Sequence, residues 1–310
     1  VESRYSNNAD AIVSHVSPST PQTHKEAFEE EFTGLTVETV RILDTGWHHD
    51  AIEVNGSIIF RVPHHTYGRV ITPEKVEREV ALLRFLQERV PVDIPSPQYV
   101  PRDYAYYGYP KLDGVLVRDL VGDCNADDWQ RYREDWVDIA SALHGNVNVE
   151  QARQLGVPDF VPPSQRRTEG IFDIPDVDEA VTDFARDVIG ELDAYDSTPN
   201  AYVFIHDDMQ AHNLLADPQT KRVTGLIDWT EACLGPLSCE FAVHEWMQGA
   251  ALSEVARMYE EKTGVPVDQQ EARMWYSIAE IGAYVSYFKA GEADEAEKYL
   301  QSVRRLIDER

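Results

Sequence analysis

The chain is poor in the features that hold small secreted proteins together or carry proteins across bilayers. Only three of its 310 residues are cysteine, Cys124, Cys233 and Cys239, with no closely spaced pair among them. That excludes a disulfide framework and a cysteine-built zinc site, and it predicts reduced thiols, with Cys233 and Cys239 as packing residues. No apolar run approaches the ~18–20 residues of a membrane span. No basic-then-apolar leader is visible either, so a cytoplasmic protein is expected. Basic residues are also scarce: 28 Lys and Arg stand against 55 Asp and Glu, a net charge of −27. Nucleic acids and anionic membranes demand clustered cations and are therefore unsuitable partners. The same field would concentrate a cationic small molecule in a cleft. It would equally serve solubility in a salty cytoplasm, and both readings stand.

What is present begins with a hydrophobic fraction of 43% and aromatics at 10%, which exclude general disorder and allow a large core, enough for two lobes. No internal repeat is visible. The segment His206-Asp207-Asp208-Met209-Gln210-Ala211-His212-Asn213, followed by Ile227-Asp228-Trp229, carries the chemistry. The order His-x-Asp-x4-Asn, a short gap and then Asp is what a kinase-type phosphoryl transfer site requires. Asp208 is placed to orient an acceptor hydroxyl and take its proton. Asn213 and Asp228 offer the hard oxygen ligands that Mg²⁺ needs beside nucleotide phosphates. Asp207 adds a second carboxylate, but the spacing to Asn213 selects Asp208. His206 reads as a structural hydrogen-bonding group, since Asp208 already fills the role of base. The apolar run Ala201–Ile205 predicts a strand before this loop. Asn213–Ala216 and Val223–Asp228 predict two more, with Asp217–Arg222 as the turn that brings Asn213 and Asp228 together.

Upstream, residues 1–35 are polar, with short helices expected over Ala9–Val16 and Glu26–Phe32. Strands are expected over Val37–Leu43, Ala51–Val54 and Ser57–Val62, with Asn55-Gly56 as a hairpin turn. The loop around Gly46 lies between the first two. Arg61 falls where an inward-facing cation could meet nucleotide phosphates. The helix Pro73–Leu86 starts after Thr72, with Pro73 at its first position. Val76, Val80, Leu83 and Leu86 share one face, and Glu79 beside it could reach back to Arg61 as a carboxylate partner. The aromatic run Tyr104–Tyr109 predicts a strand. It stops at Pro110-Lys111-Leu112-Asp113-Gly114, a candidate hinge whose backbone groups could read a purine. Helices are then expected over Asp127–His144, Val149–Leu155, Val177–Tyr195, Ser238–Gln248, Leu252–Thr263, Asp268–Ala290 and Ala293–Asp308.

From about Gly46 onward the chain resembles the aminoglycoside-phosphotransferase superfamily, and within it most closely the macrolide 2′-phosphotransferases. The supporting phrases are Phe60-Arg61-Val62-Pro63, Glu77–Leu83, Ala142-Leu143-His144 and Val223–Ala232; Asp228-Trp-Thr-Glu-Ala232 and Gly282–Tyr287 favour the macrolide branch. The resemblance implies an α+β, bilobal, protein-kinase-like fold. Residues 1–110 would form a small β-rich N-lobe and residues 111–310 a larger, mostly helical C-lobe. It also implies Mg²⁺, GTP or ATP as phosphate donor, and transfer to the desosamine 2′-hydroxyl of a macrolide. A kinase of the same fold acting on an aminoglycoside or another small alcohol, or a catalytically impaired nucleotide-binding protein, is the alternative, and a monomer is expected. Asp208 would be the base, Asn213 and Asp228 the metal ligands, and Arg61 with Glu79 the phosphate-positioning pair. Gly46, Pro110 and Leu112 would complete the nucleotide site. Trp246, Trp275, Tyr276, Glu280, Tyr284 and Tyr287 are candidates to line the acceptor pocket. The sequence departs from the family pattern where Asp207 replaces a usual Gly, where Gln210 stands for an aromatic or His, and where Ala211-His212 replaces Pro-Gly.

Overall fold

The computed structural model describes residues 20–45, 49–63, 71–161, 167–194, 202–242 and 251–310. The expected helix over Ala9–Val16 lies outside them. Helix α1 (Pro21–Glu31) begins before its expected start, because Thr20 and Thr23 close a reciprocal capping box ahead of Pro21. Strands β1 (Val40–Thr45), β2 (His49–Val54) and β3 (Ile58–Pro63) follow as an antiparallel meander. Asn55 and Gly56 turn the β2–β3 hairpin with φ of 53° and 68°, the left-handed pair that a two-residue hairpin loop needs. Helix α2 (Pro73–Leu86) buries the anticipated face of Val76, Val80, Leu83 and Leu86 together with Glu79. Thr72 occupies the N-cap position, but its side chain makes no capping hydrogen bond to the helix backbone. Strand β4 (Tyr107–Pro110) completes the sheet in the order β1-β2-β3-β4. It is shorter than the sequence suggests, because Tyr104 takes a left-handed φ of 54° and ends any extended run.

The remainder is mainly helical. Strand β5 (Val115–Leu116) leads to helices α3 (Ala126–Asn146), α4 (Val149–Gln154) and α5 (Glu179–Ala194). Strands β6 (Tyr202–Ile205), β7 (Leu214–Ala216), β8 (Val223–Leu226) and β9 (Cys233–Pro236) follow, and then helices α6 (Leu237–Glu240), α7 (Ala251–Thr263), α8 (Gln269–Ala290) and α9 (Ala293–Asp308). The helix expected over Ser238–Gln248 stops at Glu240, passes through one 3₁₀ step at Phe241 and Ala242, and its later residues lie outside the description. β7 and β8 form the anticipated hairpin, with β5 on the outer side of β7, while β6 pairs with β9.

One core joins the two parts. Ile59, Leu83 and Tyr107 from the sheet side pack in the same cluster as Trp136, Leu143, Leu214, Trp229 and Tyr259. The main chain joins them too: Asp93 donates its N–H to Thr224 O at 3.0 Å and accepts from Leu226 N–H at 2.9 Å. The segment after α2 thereby extends the β7–β8 hairpin. A second cluster lies among α5, α8 and α9. Among the described residues, no helix is long and apolar enough to cross a membrane.

Candidate active site

β6 delivers the loop that carries Asp208, and two anchors bracket that residue. Glu240 Oε2 accepts the main-chain N–H of His206 at 2.7 Å, and Trp136 Nε1 donates to Met209 O at 3.1 Å. Between them Asp207 takes a left-handed φ of 62°. This explains why glycine suits that position, and why Asp, which tolerates the region better than most residues, can replace it. His206 is fully buried. Its Nδ1 accepts the Asp208 N–H at 3.3 Å and its Nε2 donates to Ile227 O at 3.1 Å. Burial lowers its pKa, so the neutral ring ties the Asp208 loop to the residue before Asp228. That is a structural role, as the sequence suggests.

Amides hold the Asp208 carboxylate. Gln210 Nε2 donates to Oδ1 at 2.9 Å and Asn213 Nδ2 to Oδ2 at 2.8 Å, while His212 Nε2 stands 3.5 Å from Oδ2. Burial works against a charged His212 ring, but the bond to Asp208 and the nearby carboxylates prevail and raise its pKa. Gln210 and His212 enter the sequence reading only as departures from a family pattern. Their side-chain contact with Asp208 is visible only once the loop is folded. The Asn213 amide nitrogen also donates to Asp208 O at 2.9 Å, which fixes the side chain and leaves its oxygen as the remaining acceptor.

Arg61 meets these residues from β3. Its Nη2 donates to Asp228 Oδ1 at 2.6 Å and to Thr230 Oγ1 at 2.9 Å, and lies 3.2 Å from His49 Nδ1. Its Nε lies 3.8 Å from Glu79 Oε1, at ion-pair distance, and among the described residues has no hydrogen-bond partner. Tyr107 donates to the same Glu79 oxygen at 2.8 Å. Burial would raise the Asp228 pKa, yet Arg61 beside it drives it far below the usual carboxylate range. Burial raises that of Glu79, with Arg61 opposing. Asp228 itself has φ of 59°. Thr230 and His49 are functional neighbours that spacing did not reveal; only register does so, since His49 lies on the Arg61 face of β2, two residues from its direct partner Ala51.

At the end of β4, Lys111 N–H bonds to Ser57 O at 2.8 Å, and Gly108 exchanges bonds with Tyr99 on the opposite side. By strand alternation the Pro110 carbonyl turns away from β3. Leu112 follows at the start of the crossing chain. Gly46 and Trp246 lie outside the described residues.

The candidate acceptor residues of α8 lie on two sides of that helix. Trp275 and Tyr284 are buried in the second core, Trp275 edge-on to Phe160 and bonded through Nε1 to Glu271. Tyr276 pairs with Ser302, Tyr287 stacks on Tyr299, and Glu280 faces Tyr299. Among the described residues these side chains pack α8 against α9 and the loop before α5. A cavity of about 530 Å³ lies elsewhere, between α2, residues 157–161 and residues 229–233. Asp207, Asp159, Glu231, Lys75 and Arg78 contribute to its wall.

A carboxylate held by amides, a carboxylate and an amide oxygen beside it, and a buried arginine braced by glutamate define a phosphoryl-transfer class of site. The chain belongs to the APH phosphotransferase enzyme family, whose model matches residues 39–275. It is 29% identical to an aminoglycoside 3′-phosphotransferase of Streptomyces ribosidificus, over 76% of this chain and 95% of that one. Among solved structures it resembles the GDP complex of aminoglycoside 2′-phosphotransferase-IIIa, with TM-score 0.77, 20% identity, and 94% and 99% of the two chains covered. It also resembles the macrolide 2′-phosphotransferase MphH of Brachybacterium faecium, with TM-score 0.66, 21% identity, and 91% and 98% covered. The fold is therefore the kinase-like α+β fold of this family.

Proposed function

We propose that the protein transfers the γ-phosphate of GTP or ATP to a hydroxyl of an amino-sugar-bearing antibiotic, with the macrolide 2′-hydroxyl as the first acceptor. The observation that carries this reading is the convergence of Asp208, Asn213 and Asp228 with Arg61 and Glu79, residues drawn from four separate stretches of sequence. Asp208 accepts the proton of the acceptor hydroxyl, and the Gln210 and Asn213 amides keep its oxygens aimed. Arg61, paired with Glu79 through Nε and with Asp228 through Nη2, positions the donor phosphates. The Pro110 carbonyl and Leu112 N–H read the purine edge.

Asn213 and Asp228 would hold Mg²⁺, whose charge neutralises the phosphate oxygens when bound. Their hard oxygens fit that ion. Phosphate oxygens and water would complete the coordination.

A second reading, an aminoglycoside acceptor, is favoured by Glu79, Asp159, Asp207 and Glu231 in the cavity wall, which outnumber Lys75 and Arg78 there, and by the Streptomyces relative. Transfer from GTP and ATP to erythromycin and to kanamycin, with Asp208→Ala as control, tests both. Macrolide phosphorylation lost in the control supports the first reading, and kanamycin phosphorylation alone supports the second. No transfer to either overturns the proposal.

A further inference from the structure

Opposite Arg61 in the sheet stands a buried hydroxyl that the phosphoryl-transfer reading leaves without a task. Tyr107 on β4 is the direct partner of Arg61 on β3. It donates to Glu79 Oε1 at 2.8 Å, the same oxygen that faces Arg61 Nε at 3.8 Å. Among the described residues this is the one hydrogen bond that Glu79 accepts. Two effects work against a charged Glu79 at this place: burial disfavours the ionised form, and the nearby Asp228 carboxylate repels it. Both are relieved if the carboxyl takes a proton or turns into the cavity whose wall it helps to form. The Tyr107 bond opposes both escapes, since a donor to the ionised carboxylate favours its charge and fixes one oxygen on the arginine side. Burial and the facing carboxylate push the pKa of Tyr107 itself well above its ordinary value, so the hydroxyl remains a donor. The ring is fixed as well, because β4 is hydrogen-bonded to β3 on one edge and through Gly108 to Tyr99 on the other.

We propose that Tyr107 is a positioning residue for Arg61, acting through Glu79: its hydroxyl keeps the Glu79 carboxylate turned toward the guanidinium, so that Arg61 meets the donor phosphates at a set angle. The guanidinium is gripped on two sides, by Glu79 at Nε and by Asp228 and Thr230 at Nη2. Held at both, its plane is fixed; released at Nε, it can rotate about the Asp228 contact. The orientation matters because a planar fork of N–H groups engages phosphate oxygens in pairs only when it lies in their plane. A phenylalanine at position 107 would fill the same space in the sheet, so the hydroxyl is what the proposal isolates.

The inference rests on the reading of Arg61 as the phosphate-positioning residue, and binding measurements test it without any acceptor. In Tyr107→Phe the affinity for GDP should fall about tenfold, the effect of losing a hydrogen bond to a charged group. Affinity for guanosine, which carries no phosphate for Arg61 to meet, should stay within about twofold. ADP and adenosine take their place if the wild type prefers adenine. A ring that only packed the sheet would change both ligands together or neither. Where an acceptor is phosphorylated, kcat/KM for the nucleotide should fall about tenfold while the KM for the acceptor stays within about twofold. Glu79→Gln alone should also weaken GDP binding, and adding Tyr107→Phe to it should cost less than about twofold more, because the hydroxyl works through the carboxylate. Unchanged GDP affinity in Tyr107→Phe, an equal loss for guanosine, or full additivity with Glu79→Gln would overturn the proposal. If the wild type binds GDP yet phosphorylates neither antibiotic, the acceptor reading fails while these titrations still decide the role of Tyr107. If it binds no nucleotide, the phosphate reading of Arg61 falls and the inference falls with it.

Discussion

Removing Arg61 should expose how the site is braced. Replacing it with Met keeps most of the apolar stem and deletes the charge. Glu79, whose side chain is 6% exposed, would then be left with Tyr107 as its remaining close partner, whereas Asp228, at 35%, can turn to water. Breaking a buried pair by removing one member costs about 3–5 kcal/mol. The Asp228 share is screened and adds less than about 1 kcal/mol, so a loss of about 3–5 kcal/mol in unfolding free energy is expected. Glu79→Gln should cost less, since its amide carbonyl still accepts from Tyr107 and Arg61 keeps Asp228. The double variant Arg61→Met/Glu79→Gln should regain at least about 1 kcal/mol relative to the sum of the singles. Urea unfolding at pH 7 reads this as shifts in midpoint at constant slope. Strict additivity of the two changes would show that Glu79 does not brace Arg61, and the account of the phosphate-positioning pair would fall with it.

Asp208→Asn should reduce phosphate transfer by about 10²–10⁴-fold with nucleotide affinity retained, which steady-state kinetics and GDP titration separate. Asp207→Gly should leave the fold intact and raise stability by up to about 1 kcal/mol, because glycine takes the left-handed conformation without strain, whereas Asp207→Val should destabilise. Acid unfolding should reflect Asp228: its pKa is depressed in the folded state, so its contribution is present above the unfolded pKa and is lost as pH falls through the folded one. In Asp228→Asn the acid limb of a stability–pH curve should therefore flatten. Phe28→Ala should cost about 3–5 kcal/mol, as that ring stacks on Phe60 at 3.9 Å and fastens α1 to β3.

The sequence made the local features of this fold legible where period and punctuation agree. The last helix runs over Ala293–Asp308, as its pattern indicates, and Glu79 lies at the helical offset that reaches Arg61. The same signals fail where a residue serves close approach rather than a turn. Cys233-Leu-Gly-Pro236 carries no strand expectation in the sequence, yet β9 forms there. A Cβ on Gly235 would come within 2.9 Å of Ile205 Cδ1, so the glycine admits a neighbouring side chain instead of bending the chain. The α8 aromatics are ambiguous in sequence for a different reason. A helical stripe of Trp275 and Tyr284 is the same whether it faces a ligand or another helix, and here α5 and α9 supply the second surface. Long-range contacts such as Glu240 with His206 leave no periodic trace at all.

The short main-chain pairing of Asp93 with Thr224 and Leu226 gives the sheet-bearing part a second attachment to the helical part, besides the crossing at Pro110–Leu112. A body held at one point can swivel in any direction; one held at two can only turn about the line between them. The shared apolar core and the Arg61–Asp228 pair add further ties, so the sheet is fastened to the helical part at several points and has little freedom to swivel. Because β8 runs on into Asp228, the attachment at Asp93 is continuous with the segment that places Asp228 beside Arg61.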